Sequence, residues 1–301
     1  MTPAKSVVFA GCVRGWRGTG RAEPGLRLRR QKARFLAAAF GGRAAYNSGM
    51  HEAAAKGFAK EALAYARGRP EYPLAVDQWL REALQLDETR TVVDLGAGTG
   101  KFTRRLLATG ANIIAVEPVP QMLTQLTRIL PNVAARSGTA EDIPVNDGAV
   151  DAVVCAQAFH WFASKAALAE IHRVLKPGGH LGLIWNVRNE AVDWCAAMTA
   201  IMAPYEGDAP RYRSGQWREV FPAEGFGPLH EEHFRNGHTG HPEQVIVERV
   251  LSTSFIAALS RPQQLIVAAR LRDLIAMTPS LNRREEVTVP YETVVFSARR
   301  Y

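Results

Sequence analysis

Apolar runs of strand length alternate with segments of helical spacing through residues 60–190. Residues 91–95 (Thr-Val-Val-Asp-Leu) are a short apolar run that ends in Gly96-Ala97-Gly98-Thr99-Gly100. Phe102, Leu106 and Leu107 then recur on what reads as one helical face, and Gly110 stops the pattern. A second run, 112–116, ends at Glu117. Residues 132–138 fit a third strand, and Asn146-Asp147-Gly148 is a turn signal. The run 150–156, apolar but for Asp151, reads as a strand buried on both faces. A helix over 165–175 would place Leu168, Ile171, Val174 and Leu175 inward, and Lys176-Pro177-Gly178-Gly179 would end it before a fifth strand, 180–186. Upstream, 74–84 has helical spacing. Strands alternating with helices predict an α/β fold with a parallel sheet.

Beyond residue 190 the pattern changes. Residues 230–241 alternate as a sixth strand, 245–259 and 265–275 carry helical spacing, and 290–298 (Pro-Tyr-Glu-Thr-Val-Val-Phe-Ser-Ala) reads as a final strand. The chain thus divides into an extension at 1–45, an α/β block at 46–190, and a variable part at 191–301 that caps the block and completes its sheet. No apolar run approaches the ~20 residues that cross a bilayer.

The glycine loop carries the chemistry. Strand, glycine turn, helix, strand, acid is the order of a nucleotide-cofactor half-site, in which the glycines let the backbone approach a ligand and the acid accepts ribose hydroxyls. A phosphate-binding loop requires Gly-x-x-x-x-Gly-Lys-Ser/Thr, but Leu95 and Phe102 stand at its two ends here. A dinucleotide loop requires Gly-x-Gly-x-x-Gly, and Lys101 holds the place of its third glycine.

Val-Asp-Leu-Gly-x-Gly-x-Gly at 93–100, together with Glu-Ile-His-Arg-Val-Leu-Lys-Pro-Gly-Gly-His-Leu-Gly-Leu-Ile-Trp at 170–185, resembles the class I S-adenosylmethionine-dependent methyltransferases over roughly residues 60–190. The resemblance implies a doubly wound, seven-stranded Rossmann-like methyltransferase sheet of order 3-2-1-4-5-7-6, its last strand antiparallel between strands five and six, under a helical cap. It also implies that S-adenosylmethionine is held by Asp94, Gly96, Gly98, Gly100 and Glu117, with the loop at Ala140 and Glu141 near the adenine and Gln157 as a further contact. The segment Tyr65-x-x-x-Arg69-Pro70-x-Tyr72-Pro73 resembles the branch that contains trans-aconitate methyltransferase, where Tyr65 and Arg69 would close over the cofactor. The alternative for this segment is a rigid turn into the following helix.

The tail of the fourth strand, Gln157-Ala158-Phe159-His160-Trp161, should lie beside the transferred methyl group, because ligands of such sheets sit outside the carboxyl ends of the strands. His160 is the candidate base, with an ordinary pKa near 6.5. A structural, hydrogen-bonded histidine is the competing reading. Trp161 and Trp185 would wall the acceptor pocket or simply pack in the core.

Composition changes the picture in three places. The net charge of +8 comes from residues 1–45, which hold ten Lys and Arg against Glu23 alone; 46–301 carry 27 basic and 28 acidic residues. The folded body therefore has no overall basic footprint for nucleic acid. The extension reads either as a disordered segment of a cytoplasmic protein or, from the acid-free, arginine-rich stretch 27–40, as a mitochondrial presequence. Cys12, Cys155 and Cys195 have no metal spacing. His230, His233, His238 and His241 invite a zinc reading, but histidines exposed on a strand are the default, and no metal is expected.

The expected activity is methyl transfer to a small-molecule acceptor, at a carboxylate or hydroxyl oxygen. Alternatives are a protein or RNA methyltransferase and a non-catalytic, cofactor-binding partner subunit.

Overall fold

The computed structural model of the protein describes residues 69–301. Tyr65, Cys12 and the extension at 1–45 lie outside the described residues.

Seven strands form one sheet of order β3-β2-β1-β4-β5-β7-β6. They are β1 (Thr91–Leu95), β2 (Asn112–Val116), β3 (Ala134–Arg136), β4 (Val150–Ala156), β5 (Leu175–Arg188), β6 (His230–Gly240) and β7 (Val287–Arg299). The first five are parallel, and β7 runs antiparallel between β5 and β6.

Period-two geometry sends neighbouring side chains of one strand to opposite faces. Val92, Ala152 and Val154 pack with Val76, Trp79 and Leu80 of α1 (Ala75–Glu82) and with Phe102 and Leu106 beside α2 (Thr103–Leu107). Val93, Leu95, Val153 and Cys155 pack on the other face with Leu168, Ile171 and Val174 of α4 (Lys165–Val174). The sheet is therefore covered on both sides, which is why its strands read as continuous apolar runs. Between β2 and β3, α3 (Pro120–Ile129) buries Met122 and Leu126.

Several boundaries depart from the sequence reading. Phe102 and Leu106 are buried, but Leu107 is 48% exposed: it stands five positions after Phe102, about 140° round the helix. β5 begins at Leu175 rather than His180. Its pairing with β4 slips between Val150 and Ala152, so that Lys176-Pro177-Gly178-Gly179 is carried as an irregularity within the strand. Lys176 Nζ and Arg90 Nη1 hold Asp151 there at 2.8 and 3.1 Å.

The cap packs α5 (Asp193–Met202), a π-helical turn (Glu243–Glu248), α6 (Arg249–Leu251), α7 (Ser254–Ala257) and α8 (Arg261–Met277) over the start of β7. The single helix expected at 245–259 is broken at Ser252-Thr253. Ser252 Oγ donates to the Arg249 carbonyl and Thr253 takes an extended conformation, side-chain bonding that competes with the helical ladder. α8 starts earlier than its apolar spacing suggests, because Gln263 Oε1 accepts from the Ser260 amide and hydroxyl at 3.2 and 2.8 Å.

Candidate functional site

The strand order reverses between β1 and β4, the place where ligands of such sheets sit outside the carboxyl ends of the strands. The glycine loop follows β1. Gly96 and Ala97 donate their amides to the Val116 carbonyl at 2.8 and 3.1 Å, which folds the loop back over the end of β2. Gly96 has φ +73, and a Cβ there would come within 2.8 Å of Ala158 Cβ, so only glycine fits.

Glu117 leaves the end of β2. Its Oε2 accepts from Gly98 N at 2.8 Å and its Oε1 from Val119 N at 2.9 Å, so one carboxyl joins the glycine loop to the start of α3. Burial pushes its pKa up to about 7, against the pull of these two amides. Asp94, one strand over, is wholly buried, and burial raises it to about 7 as well. Thr103 Oγ1 donates to Asp94 Oδ2 at 2.7 Å, whereas Oδ1 is buried without a hydrogen-bond partner. Two acids in one place, one with an orphaned acceptor oxygen, suit a ligand that presents hydroxyl or amino donors, and their raised pKa values mark the place as a candidate site. Ala140 is buried and Glu141 half-buried on the loop that follows β3.

Gln157 follows β4 with φ +58, a costly conformation for a side-chain-bearing residue, pinned by a backbone bond to Ile184. A helical turn, Phe159–Trp161, then carries His160 into a cavity of about 130 Å³. Trp185 Nε1 donates to His160 Nδ1 at 3.0 Å. An indole nitrogen can only donate, so Nδ1 bears the lone pair and the proton of the neutral ring sits on Nε2. Burial, with Arg211 and Arg69 nearby, depresses the His160 pKa to about 3. The ring is thus neutral, and its basic nitrogen is already engaged. Trp185 is itself core, ringed by Tyr212, Trp217 and Phe296, yet reaches the same cavity as Trp161 and Gln157.

Of the cavity's other wall, only Arg69 was expected from the sequence. Arg69, Arg188, Arg211, Arg213 and Arg249 line it, with Glu190 as the acid among the lining residues. Arg188 Nε and Arg249 Nε are buried without hydrogen-bond partners. Arg188 Nη2 reaches Thr199 Oγ1 at 3.3 Å, and Arg249 Nη1 reaches Thr253 Oγ1 at 3.2 Å. Burial lowers Arg211 to about 10, although Glu206 lies 3.8 Å away. Arg69 was expected at the site from its motif; Arg188, Arg211, Arg213 and Arg249 are dispersed over 188–249 with no common motif, so no local signal announced them.

The histidine series does not converge. Side chains alternate along β6, which puts His230 and His233 on opposite faces. His233 lies between Glu231 and Glu292 at 3.1 and 2.9 Å, which raise its pKa. His238 is half-buried, and burial first, then Arg249 and Lys101, lowers it to about 4. No group of metal-binding side chains occurs among the described residues. Cys155 is fully buried, with its thiol pKa raised well above the ordinary value by burial.

A family model described as a methyltransferase domain matches residues 93–183, from β1 into β5. An uncharacterized methyltransferase-like protein of Schizosaccharomyces pombe is 39% identical over 246 residues, 81% of this chain and 96% of that protein. An uncharacterized methyltransferase of Mycobacterium tuberculosis is 39% identical over 237 residues, 78% of this chain and 92% of that protein. Among solved structures, the YcgJ protein from Bacillus subtilis superposes with a TM-score of 0.51 at 16% identity, covering 75% of this chain and 98% of that one, a likeness of fold. With the glycine loop, the buried acids and the 3-2-1-4-5-7-6 sheet in place, and with relatives matched along nearly their whole length, the chain belongs to the class I methyltransferases and is an enzyme.

Proposed function

We propose that the protein moves the methyl group of S-adenosylmethionine onto an acid oxygen of a small molecule held in the arginine-lined cavity. The observation that carries the choice of acceptor is the set of guanidinium groups around that cavity, two of them with buried nitrogens lacking partners. Guanidinium recognises carboxylate in a planar, charge-assisted geometry. The resemblance of 65–73 to the branch containing trans-aconitate methyltransferase points the same way.

The donor supplies an activated methyl on a sulfonium. On this reading Glu117 accepts the ribose hydroxyls and Asp94, with its free oxygen, orders the loop beneath the amino acid part. Gly96, Gly98 and Gly100 let the backbone approach, while Ala140 and Glu141 border the adenine. Arg69 and Gln157 close the far side, where the resemblance would also put Tyr65. A carboxylate is nucleophilic at neutral pH, so no base is needed. His160 then offers its Nε2–H to the acceptor and orients it, with Trp161 and Trp185 excluding water. The chemistry depends on alignment and desolvation, which the chain's residues supply.

The test pairs calorimetry of S-adenosylmethionine and S-adenosylhomocysteine, with NAD as control, with a methylation screen of small mono-, di- and tricarboxylic acids against their alcohol and amide analogues. Methyl-ester products from the acids alone are expected. Turnover only on protein or RNA would overturn the acceptor assignment, and binding of NAD alone would overturn the donor.

A further inference from the structure

The segment 69–73 has no regular secondary structure, yet it forms a wall of the site. Arg69 faces the main cavity. With Pro70 and Tyr72 it also borders a smaller cleft lined by Lys101, Gln157, Asn186 and Arg249. Such a strap keeps its place only through what grips it. On one side Lys101 Nζ lies 2.8 Å from the Glu71 carboxylate and 2.5 Å from the Arg69 carbonyl, and Tyr72 meets Phe102 edge-on at 4.8 Å. On the other side the Glu71 carbonyl accepts from Asn236 Nδ2 at 2.8 Å and from Asn186 Nδ2 at 3.3 Å.

Asn236 belongs to β6, the edge of the sheet, and does not line either cavity. Its amide orientation is determined: Oδ1 accepts from Gly237 N at 2.8 Å, so the NH2 group must face inward. There it meets Glu71 O, Asn186 Oδ1 and Thr293 Oγ1, the last two at 3.1 Å. Thr293 Oγ1 in turn donates to Asn186 Oδ1 at 2.5 Å. Three adjacent strands, β5, β7 and β6, thus supply one row of polar groups whose outward donor is aimed at the strap.

We infer that Asn236 is a positioning residue that holds the 69–73 strap closed over the donor and acceptor sites. The ligand side of this inference rests on the function proposed above, whereas the mechanical side does not. Asn236→Asp is nearly isosteric but turns the inward NH2 into an oxygen facing three oxygens. It should open the strap, and apparent affinity falls by the fraction of molecules left closed.

The experiment measures amide hydrogen exchange of peptides covering 69–76 and S-adenosylhomocysteine affinity, in the full chain, for wild type, Asn236→Asp and Asn236→Ala. Faster exchange and roughly tenfold weaker binding are expected for Asn236→Asp, the scale of a lost hydrogen bond plus a new repulsion. A protonated carboxyl donates as the amide does. The ratio of Asn236→Asp to wild-type affinity should therefore return toward one as the pH falls to about 5, near the ordinary carboxylate range, while Asn236→Ala shows no such recovery. A merely structural lesion would not follow pH in this way. Unchanged exchange in the strap overturns the inference, and so does unchanged affinity where wild type binds. If wild type itself fails to bind, the proposed donor is withdrawn and the exchange result alone decides. If Asn236→Asp does not fold, Asn236→Ala is read in its place.

Discussion

At the scale of single residues, the sharpest consequence attaches to Glu117. Its folded pKa of about 7 lies above the ordinary 4.5, so between those values the folded chain holds a proton that the unfolded chain has lost. Its contribution to stability therefore declines as the pH rises through that window, and Asp94 behaves in the same sense. A ribose requires the opposite form, because hydroxyls donate best to a carboxylate. S-adenosylhomocysteine affinity should thus climb as the pH rises and level off above about 8, being roughly tenfold weaker at pH 6. Glu117→Gln should weaken binding by about tenfold or more at pH 8 and flatten the dependence on pH, leaving only what Asp94 contributes, as read by calorimetry; a Gln variant with the wild-type profile would dissociate Glu117 from the ribose. The place of Glu117 at the end of β2 was legible because it ends an apolar run after a glycine loop. The state of His160 was not, because it is set first by burial in the assembled site, then by Trp185, twenty-five residues onward, and by arginines farther still.

At the scale of elements, the loop between β1 and α2 is defined by space as much as by flexibility. Gly96→Ala would force a side chain into the left-handed region and against Ala158, at a cost of about 2 kcal/mol. Melting should fall by roughly 5 °C and donor affinity with it; an unchanged melting temperature would mean that the loop can reorganise freely. Elements built from local pattern were legible: the buried parallel strands from continuous apolar runs, and β6 from its alternation. Those decided by side-chain bonding were not. Ser252 and Thr253 interrupt what spacing alone reads as one helix, and Gln263 starts α8 before its first inward apolar residue. In β5, Lys-Pro-Gly-Gly looks like a terminator, but the ladder with β4 skips over it and resumes.

At the scale of the whole molecule, the balance of charge conceals the feature that matters. The described body is close to neutral in sum, yet it collects Arg69, Arg188, Arg211, Arg213 and Arg249 about one cavity. Only the tertiary fold gathers them, so sequence could indicate that a cap would cover the site but not what it would recognise. Arg249 joins the cavity from the cap and its Nε has no hydrogen-bond partner. Arg249→Met keeps most of the apolar stem and removes the charge. It should raise the KM of the acid acceptor by about ten- to a hundredfold, the worth of a charge-assisted bond, and leave donor affinity within twofold. An effect on the donor alone in steady-state kinetics would move Arg249 to the other half of the site.

The interior place of β7 has a bearing on how the molecule comes into being. It is the last of the seven strands in chain order, yet it is flanked on both sides, by β5 and by β6. Until it inserts, those two strands have no common neighbour and each presents an open edge. Such a non-local closure is a slow event in folding. Thr293 joins the Asn186–Asn236 pair only at that step. A nascent chain could assemble its glycine loop and buried acids early, but it would acquire a gripped strap, and with it a finished catalyst, only when its last strand arrives.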